Sequence, residues 1–368
     1  MSNMMSDFEE YIRQGEPDKK EKSYIWQTAI GLQQVDGLKP SAYLIETAKQ
    51  NIEGDITFEE VKKRIDAYYK TQENRHDDDR TEEADKVSAR IAEILSEKTF
   101  SFSPVSYLNI HKRLFSEIYK FAGKIRDYNI TKSEWVLDGE TVLYADADDL
   151  HATLEYDFEQ EKKFDYKGLN TQQIIEHIAH FISYLWQIHI FGEGNTRTAA
   201  VFLIQYLRKL GFNEINNDLF AQHSWYFRNA LVRANYKNIK KGVYATNKYL
   251  ERFLGNLLLG ENNILKNREL HINFVAPENS NVNNRDGGQK MVVRDGGQQD
   301  NSGGQKRWSE NLVKLFELIQ NNPKISRKKL SETLQINPSA VQKHIERLKN
   351  ERIIIRVGSD KTGHWEIV

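Results

Sequence analysis

The chain has 368 residues, 39% hydrophobic and 11% aromatic, enough apolar material for two or three packed domains. Charged residues make up 29%, yet the signs nearly cancel to a formal net charge of -1, so the whole chain is no polyelectrolyte and any nucleic-acid binding must be local. Cysteine is absent, which excludes disulfides, thiolate metal sites and Cys nucleophiles. There is neither a basic-then-apolar leader nor a run of about 18 apolar residues, so the expected compartment is the cytoplasm, with no membrane partner.

Apolar residues recur three and four apart along most of the chain, so the expected fold class is mostly α. Residues 1–75 read as a helical segment broken by "DGLKPS" at Asp36–Ser41, with Thr57 and Glu60 spaced as a capping box. The charged run "TQENRHDDDRTEEADK" then reads as a solvated helix or linker. From 84 to 260 the apolar pattern continues without a long polar gap, which predicts one main domain. Residues 278–306 repeat Gly, Asn, Asp and Gln, with "RDGGQ" twice, and carry too little apolar surface to offset their ordering entropy; they read as a flexible tether.

Residues 307–368 pattern as three helices and two short strands around a Gly-containing turn, the layout of a winged helix-turn-helix, with Asn337-Pro338-Ser339 starting the third helix. Twelve Lys and Arg stand against seven Asp and Glu in this segment, which makes DNA a candidate partner. Binding to protein, or to the chain itself, is the alternative.

The chemistry concentrates at 189–198, "HIFGEGNTRT", between two helices. The first carries Ile174, Ile175, Ile178, Ile182 and Leu185 on one stripe; the second carries Ala200, Leu203, Ile204 and Leu207. Gly192 and Gly194 allow a tight turn that places "GEGNT" at a helix N-terminus, where free backbone N–H groups and the dipole favour an anion. Arg197 is a cation in the first turn, where the dipole alone favours an acid, which fits a polyphosphate. Glu193 is a hard oxygen ligand for Mg²⁺, Asn195 a neutral donor to phosphate, and His189 a candidate general base. Base, metal ligand, anion cradle and cation together point to phosphoryl or nucleotidyl transfer. Taken singly, each has a bland reading: a helix-end His as cap or core, an ordinary glycine turn, an Arg and a Glu that pair with each other.

The stretch "HIFGEGNTR" resembles the signature of the Fic family, His-x-Phe-x-Asp/Glu-Gly-Asn-Gly-Arg-x-x-Arg. The resemblance extends upstream through "LNIHKRLFSEIYKFAGKIRDYNITKSEWVL", similar to the family's core helix and β-hairpin flap, and downstream to "WYFRNALVRANY", covering about residues 100–240. It implies a Fic-type helical domain whose His189 deprotonates a Ser, Thr or Tyr hydroxyl of a target protein for attack on the α-phosphate of ATP, leaving the target AMPylated. It further implies Glu193 as the Mg²⁺ ligand, Gly194, Asn195, Thr196 and Arg197 as the phosphate site, Phe191 as the anchor of the loop, and Tyr226 and Asn229 as adenine contacts. Ile130, Thr131, Lys132, Ser133, Glu134, Trp135 and Val136 would form the flap that clamps the target, or else an ordinary hairpin with Trp135 in the core.

Two positions depart from the family pattern. Thr196 stands where the family has its third Gly, and Ala200 where it has the second Arg, which binds the γ-phosphate and pairs with an inhibitory glutamate. The N-terminal segment resembles the antitoxins that accompany Fic toxins; the matching register puts Leu32 at the Ser/Thr place and Asp36-Gly37 at the Glu-Gly. Glu53-Gly54, with Lys49 at the Ser/Thr place, is a second and lesser candidate. With Ala200 removing the expected partner of Asp36, the segment is expected to pack on the catalytic domain without the usual ion pair, either as residual inhibitor or as an added helical layer. Open alternatives for function are a DNA-binding regulator or toxin-antitoxin component using the fold as a nucleotide sensor, or transfer of another nucleotide or a phosphate. A random coil the length of the tether spans about 30 Å r.m.s., which puts the chain itself among the possible targets.

Overall fold

The computed structural model describes residues 8–70, 80–212, 218–274, 310–334, 338–350, 353–357 and 364–367; the expected tether and Asn337 lie outside them. The chain divides into two units, residues 1–274 and 275–368.

The first unit runs α1 (Glu9–Gln14), α2 (Pro17–Gly31), α3 (Ala42–Glu53), α4 (Phe58–Tyr68), α5 (Thr81–Ser96), α6 (Pro104–Phe115), α7 (Leu150–Lys163), α8 (Thr171–Ile188), α9 (Asn195–Lys209), α10 (Asp218–Ala234) and α11 (Lys248–Leu259). Its axis is α9, in which every residue from Asn195 to Leu207 is buried. The expected apolar stripe is therefore part of a helix enclosed on all sides, by α5, α6, α8 and the turn at Leu32–Asp36. Of the stripe predicted on α8, Ile175, Ile178, Ile182 and Leu185 are buried and Ile174 is half-buried.

The N-terminal segment shares this core rather than forming a body of its own. Helix α2 packs on α5 and α10. Trp26 is fully buried with its indole N–H donated to Asn51 Oδ1 at 3.0 Å. A Cβ on Gly31 would lie 2.2 Å from Ala221 Cα, so glycine is what permits the close crossing of α2 and α10. The "DGLKPS" break appears as expected: a single 3-10 helix, Leu32–Asp36, ends at Gly37 (φ 72°), and Ser41 caps α3. Half of the expected capping box forms, Thr57 Oγ1 accepting from Glu60 N–H at 3.2 Å, while the Glu60 carboxylate accepts from Arg64 instead.

Three expectations change. The charged run read as a solvated helix or linker is helical from Thr81 onward, as α5, but is not solvated there, since Glu83 and Asp85 are buried; its residues 71–79 lie outside the described residues. Both carboxylates are partnered: Asp85 accepts from Ser41 and Tyr69, and Glu83 from Arg80, Tyr119 and Arg197. Composition cannot distinguish a solvated acid from a buried, paired one. The main domain does not close at 260 either, because Leu270 is buried and Ile272 N–H donates to Val136 O at 3.0 Å.

The flap Ile130–Val136, expected as a β-hairpin, contains no paired strands. Residues Trp135–Leu137 wind into a 3-10 turn, closed by Glu134 N–H to Glu140 O at 2.9 Å and Gly139 N–H to Glu134 O at 3.1 Å, and Lys132 N–H goes to the Thr141 hydroxyl. The loop is pinned at Val136 and Glu134, both buried, and exposes Thr131, Ser133 and Trp135. An inward-facing, ion-paired Glu134 and a side-chain acceptor for Lys132 replace the regular backbone ladder that strand alternation predicts.

The second unit has α12 (Glu310–Asn321), α13 (Arg327–Leu334), α14 (Pro338–Asn350), β1 (Ile354–Val357) and β2 (His364–Ile367). The strands pair antiparallel, Ile354 opposite Ile367 and Val357 opposite His364. Leu315, Leu330, Val341, Ile345, Ile354 and Trp365 form its separate core. This is the expected three-helix, two-strand layout.

Candidate active site

Helix α8 ends at Ile188, and His189 follows in the left-handed region (φ 50°, ψ 52°), a conformation that costs a non-glycine residue about 1 kcal/mol or more. What holds it there is Arg126, a residue that motif reasoning passes over. Arg126 N–H donates to Ile190 O, its Nε to His189 O at 2.8 Å, and its Nη2 to Ala145 O at 2.6 Å and Ile188 O at 3.4 Å. A buried cation thus satisfies the terminal carbonyls of α8 at the negative end of its dipole.

The imidazole of His189 is buried against Tyr144 and Trp186, with ring centroids at 4.3 and 5.2 Å, and neither ring nitrogen has a hydrogen-bond partner among the described residues. Burial first, then the positive charges of Lys132, Arg228 and Arg126, push its pKa well below the ordinary value. The ring is neutral at pH 7 and able to accept a proton.

The turn after it is rigid. Phe191 is fully buried and stacks on His111 at 3.7 Å between ring centroids. His111 Nδ1 accepts from Gly123 N–H at 2.8 Å, so Nε2 carries the proton and donates to Glu193 O at 3.0 Å. Burial lowers the His111 pKa to about 4, which fixes this neutral form. The Asn195 side chain closes the turn on itself, accepting from Phe191 N–H at 3.1 Å and donating to Phe191 O at 2.7 Å. The side chain thus braces the loop, and the residue also lines the cleft. Gly194 has φ 77°, and a Cβ there would meet the Phe115 ring at 2.4 Å. Glycine is required at 194 for both reasons.

Gly194 is also the N-cap of α9 and has no side chain to cap with. The first bond into the helix is Thr198 N–H to Gly194 O at 3.0 Å, so the N–H groups of Asn195, Thr196 and Arg197 lie ahead of the helical ladder. Thr196, the departure from the family pattern, has a physical reason here: its Oγ1 accepts the indole N–H of Trp186 at 3.0 Å, tying α9 to α8. Glu193 sits at the cleft rim, its side chain about half exposed and 3.0 Å from Lys132 Nζ.

Arg197 is not on the cleft wall. Its fully buried guanidinium lies over Phe115 at 4.7 Å, donates to Gln33 Oε1 at 3.0 Å and Glu83 Oε1 at 2.7 Å, and pairs with Asp36 Oδ2 at 2.8 Å. The expected loss of an ion pair to Asp36 is thus corrected: with Ala200 in place of the second Arg, Asp36 pairs with Arg197 instead. Gly37 provides the left-handed turn directly after Asp36, and Asp36 itself lines the cleft. Glu53, the lesser candidate, is bound to Lys19 at 2.7 Å within the N-terminal segment.

Tyr226 and Asn229 are buried on the inner face of α10, where Asn229 Nδ2 donates to Asn267 Oδ1 at 2.8 Å; neither lines the cleft that holds His189. The cleft residue of α10 is Arg228, between them in sequence. Its Nη1 is 2.7 Å from Glu134 Oε2, and Trp225, one turn earlier, packs on Trp135 at 5.2 Å. Leu219, Gln222, Trp225 and Arg228, three apart, are with His223 the less buried positions among the described side chains from Leu219 to Ala234, and that spacing was the available signal.

Sequence comparison agrees with the geometry. Residues 101–207 match the family model described as Fic/DOC family, and residues 309–355 match that described as winged helix-turn-helix DNA-binding. Protein adenylyltransferase VbhT of Bartonella schoenbuchensis is 27% identical over 104 residues, which is 28% of this chain and 20% of that protein. The chain therefore spans about a fifth of the length of this curated relative. No helix among the described residues is long and apolar enough to cross a membrane. The chain carries a Fic/DOC domain at residues 101–207 and a winged helix-turn-helix at residues 309–355.

Proposed function

We propose that the protein is a protein adenylyltransferase that moves AMP from ATP onto a Ser, Thr or Tyr hydroxyl of a target protein. The observation that carries this reading is His189: a buried, neutral imidazole with both nitrogens unpartnered among the described residues, beside a helix N-terminus that has no side-chain cap. A group held this way, against left-handed strain and desolvation, suits a base better than a structural His. The relative's printed activity points the same way.

In the proposed reaction His189 takes the proton of the target hydroxyl as its oxygen attacks the α-phosphorus. The bond from that phosphorus to the bridging oxygen of the β-phosphate breaks, and pyrophosphate leaves. The N–H groups at the start of α9 would face the charge developing on the phosphate. Glu193 is the carboxylate that would hold Mg²⁺. A rim carboxylate that is about half exposed is the kind of donor that holds Mg²⁺ together with phosphate oxygens. Bound there, Mg²⁺ would neutralise charge on the leaving group. Trp135, Thr131 and Ser133 on the exposed side of the flap are the proposed target contacts.

The second unit favours an additional partner, DNA, through residues 307–368, on the strength of its match and its excess of basic residues. A regulator that only senses nucleotide has no need of a positioned base. ATP labelled at the α-phosphate, with Mg²⁺ and host lysate, separates the two. Label on protein that is lost with His189→Ala supports transfer; ATP binding without label, by wild type and variant alike, supports the sensor.

A further inference from the structure

The cleft holds cations other than those of the motif. Ala200 offers no charge, and Arg197 is turned away into Gln33, Asp36 and Glu83. Among the described residues, the cationic side chains that line the cleft are Lys132 and Arg228. Each lies against a carboxylate: Lys132 Nζ is 3.0 Å from Glu193, and Arg228 is held by both oxygens of Glu134, at 2.7 and 3.1 Å.

The two are not equivalent. Lys132 sits on the flap beside the carboxylate proposed for Mg²⁺, where a second cation is repelled. Arg228 is on α10, a packed helix, and presents a planar fork of donors that matches phosphate oxygens two at a time. Glu134, which now fills that fork, is fully buried and also accepts from Tyr144 at 3.2 Å. Tyr144 is the ring packed on His189, so a continuous chain of contacts runs from Arg228 through Glu134 and Tyr144 to His189.

We propose that Arg228 binds the β- and γ-phosphates of the nucleotide, taking the place of the arginine that Ala200 removes, and that Glu134 is the counter-ion from which the phosphates draw it. The proposal rests on the nucleotide reading of the site given above. Arg228 is a binding residue for the tail and has no part in holding AMP. Its contribution is graded by the number of phosphates on the ligand, which no purely structural role would be.

The test measures affinity of the full chain for ATP, ADP and AMP with Mg²⁺ by calorimetry, beside thermal melting. For Arg228→Gln the expected result is a loss of about ten- to a hundredfold for ATP, the range of a charged hydrogen-bonding pair, with AMP changed less than about twofold. Equal losses for ATP and AMP, or no loss, overturn the proposal. Glu134→Gln keeps the shape and the Tyr144 bond while releasing Arg228 from its counter-charge. ATP should then bind several-fold more tightly, and failure to do so overturns the proposal even if Arg228→Gln does not fold. A folded wild type that binds no nucleotide sinks the adenylyltransferase reading itself, a result separate from one in which the wild type binds and Arg228→Gln matches it.

Discussion

Asp36 Oδ2 lies 2.8 Å from Arg197 Nη2, joining the turn after α2 to the first turn of the Fic motif helix. The same guanidinium is held by Glu83 on α5 and Gln33, so three chain segments meet on one buried cation. Asp36 also faces the cleft, where its negative charge opposes a polyphosphate. Replacing Asp36 with Asn keeps a hydrogen-bond acceptor for Arg197 and removes that charge. AMP transfer and ATP affinity should rise about three- to tenfold, with the melting temperature nearly unchanged because Glu83 still neutralises Arg197. Labelled AMP incorporation and calorimetry at fixed salt check this; lower affinity would show that Asp36 acts only as a brace.

Deleting residues 1–70 should not simply release an inhibitor. It removes Trp26 and the Gly31 crossing from a core shared with α5 and α10. The expected product is aggregated or expanded, with lost near-UV circular dichroism. A soluble, cooperatively melting truncation would contradict the shared core.

Gly194→Ala should destabilise the first unit by about 2–4 kcal/mol, combining left-handed backbone strain with a clash against Phe115. The urea midpoint reads this directly.

Thr196→Gly restores the residue of the family pattern but leaves the Trp186 indole N–H without its buried acceptor, a cost of about 1–3 kcal/mol. Thr196→Ser should recover most of it. Urea melts of the two variants, followed by the tryptophan emission maximum, would separate loss of the hydroxyl from loss of the methyl.

Acid should weaken the fold through His111. The folded state keeps this ring neutral, with a pKa of about 4, while the unfolded chain takes up a proton near the ordinary value of about 6.5. The contribution is therefore fully present above pH 6.5 and is lost as pH falls toward 4, up to about 3 kcal/mol in all. His189, also depressed by burial, adds in the same direction. The difference in unfolding free energy between wild type and His111→Gln, measured from pH 7.5 to 4.5, should shrink with acidity. A pH-independent difference would exclude this role.

The local codes were legible in the sequence. The period of α8 and α9, the Gly37 and Gly194 turns, the Thr57 cap and the three-helix, two-strand C-terminal unit all follow from neighbours within a few residues, where backbone sterics and amphipathic spacing act. His189, Glu193, Gly194 and Thr196 could be grouped for the same reason, since one turn carries them all. What the sequence could not decide was which partner each charge would find. Arg197 turns to Asp36 and Glu83, from positions far away in the chain, and Asn195 to Phe191; Arg126 takes the carbonyls of α8, and Arg228 enters the cleft beside Glu134. Pairings of buried ions depend on which segments the core brings within about 3 Å, and burial makes each such choice energetically large. The tertiary structure therefore decided the cations of the site, while the sequence had already determined the turn that they surround.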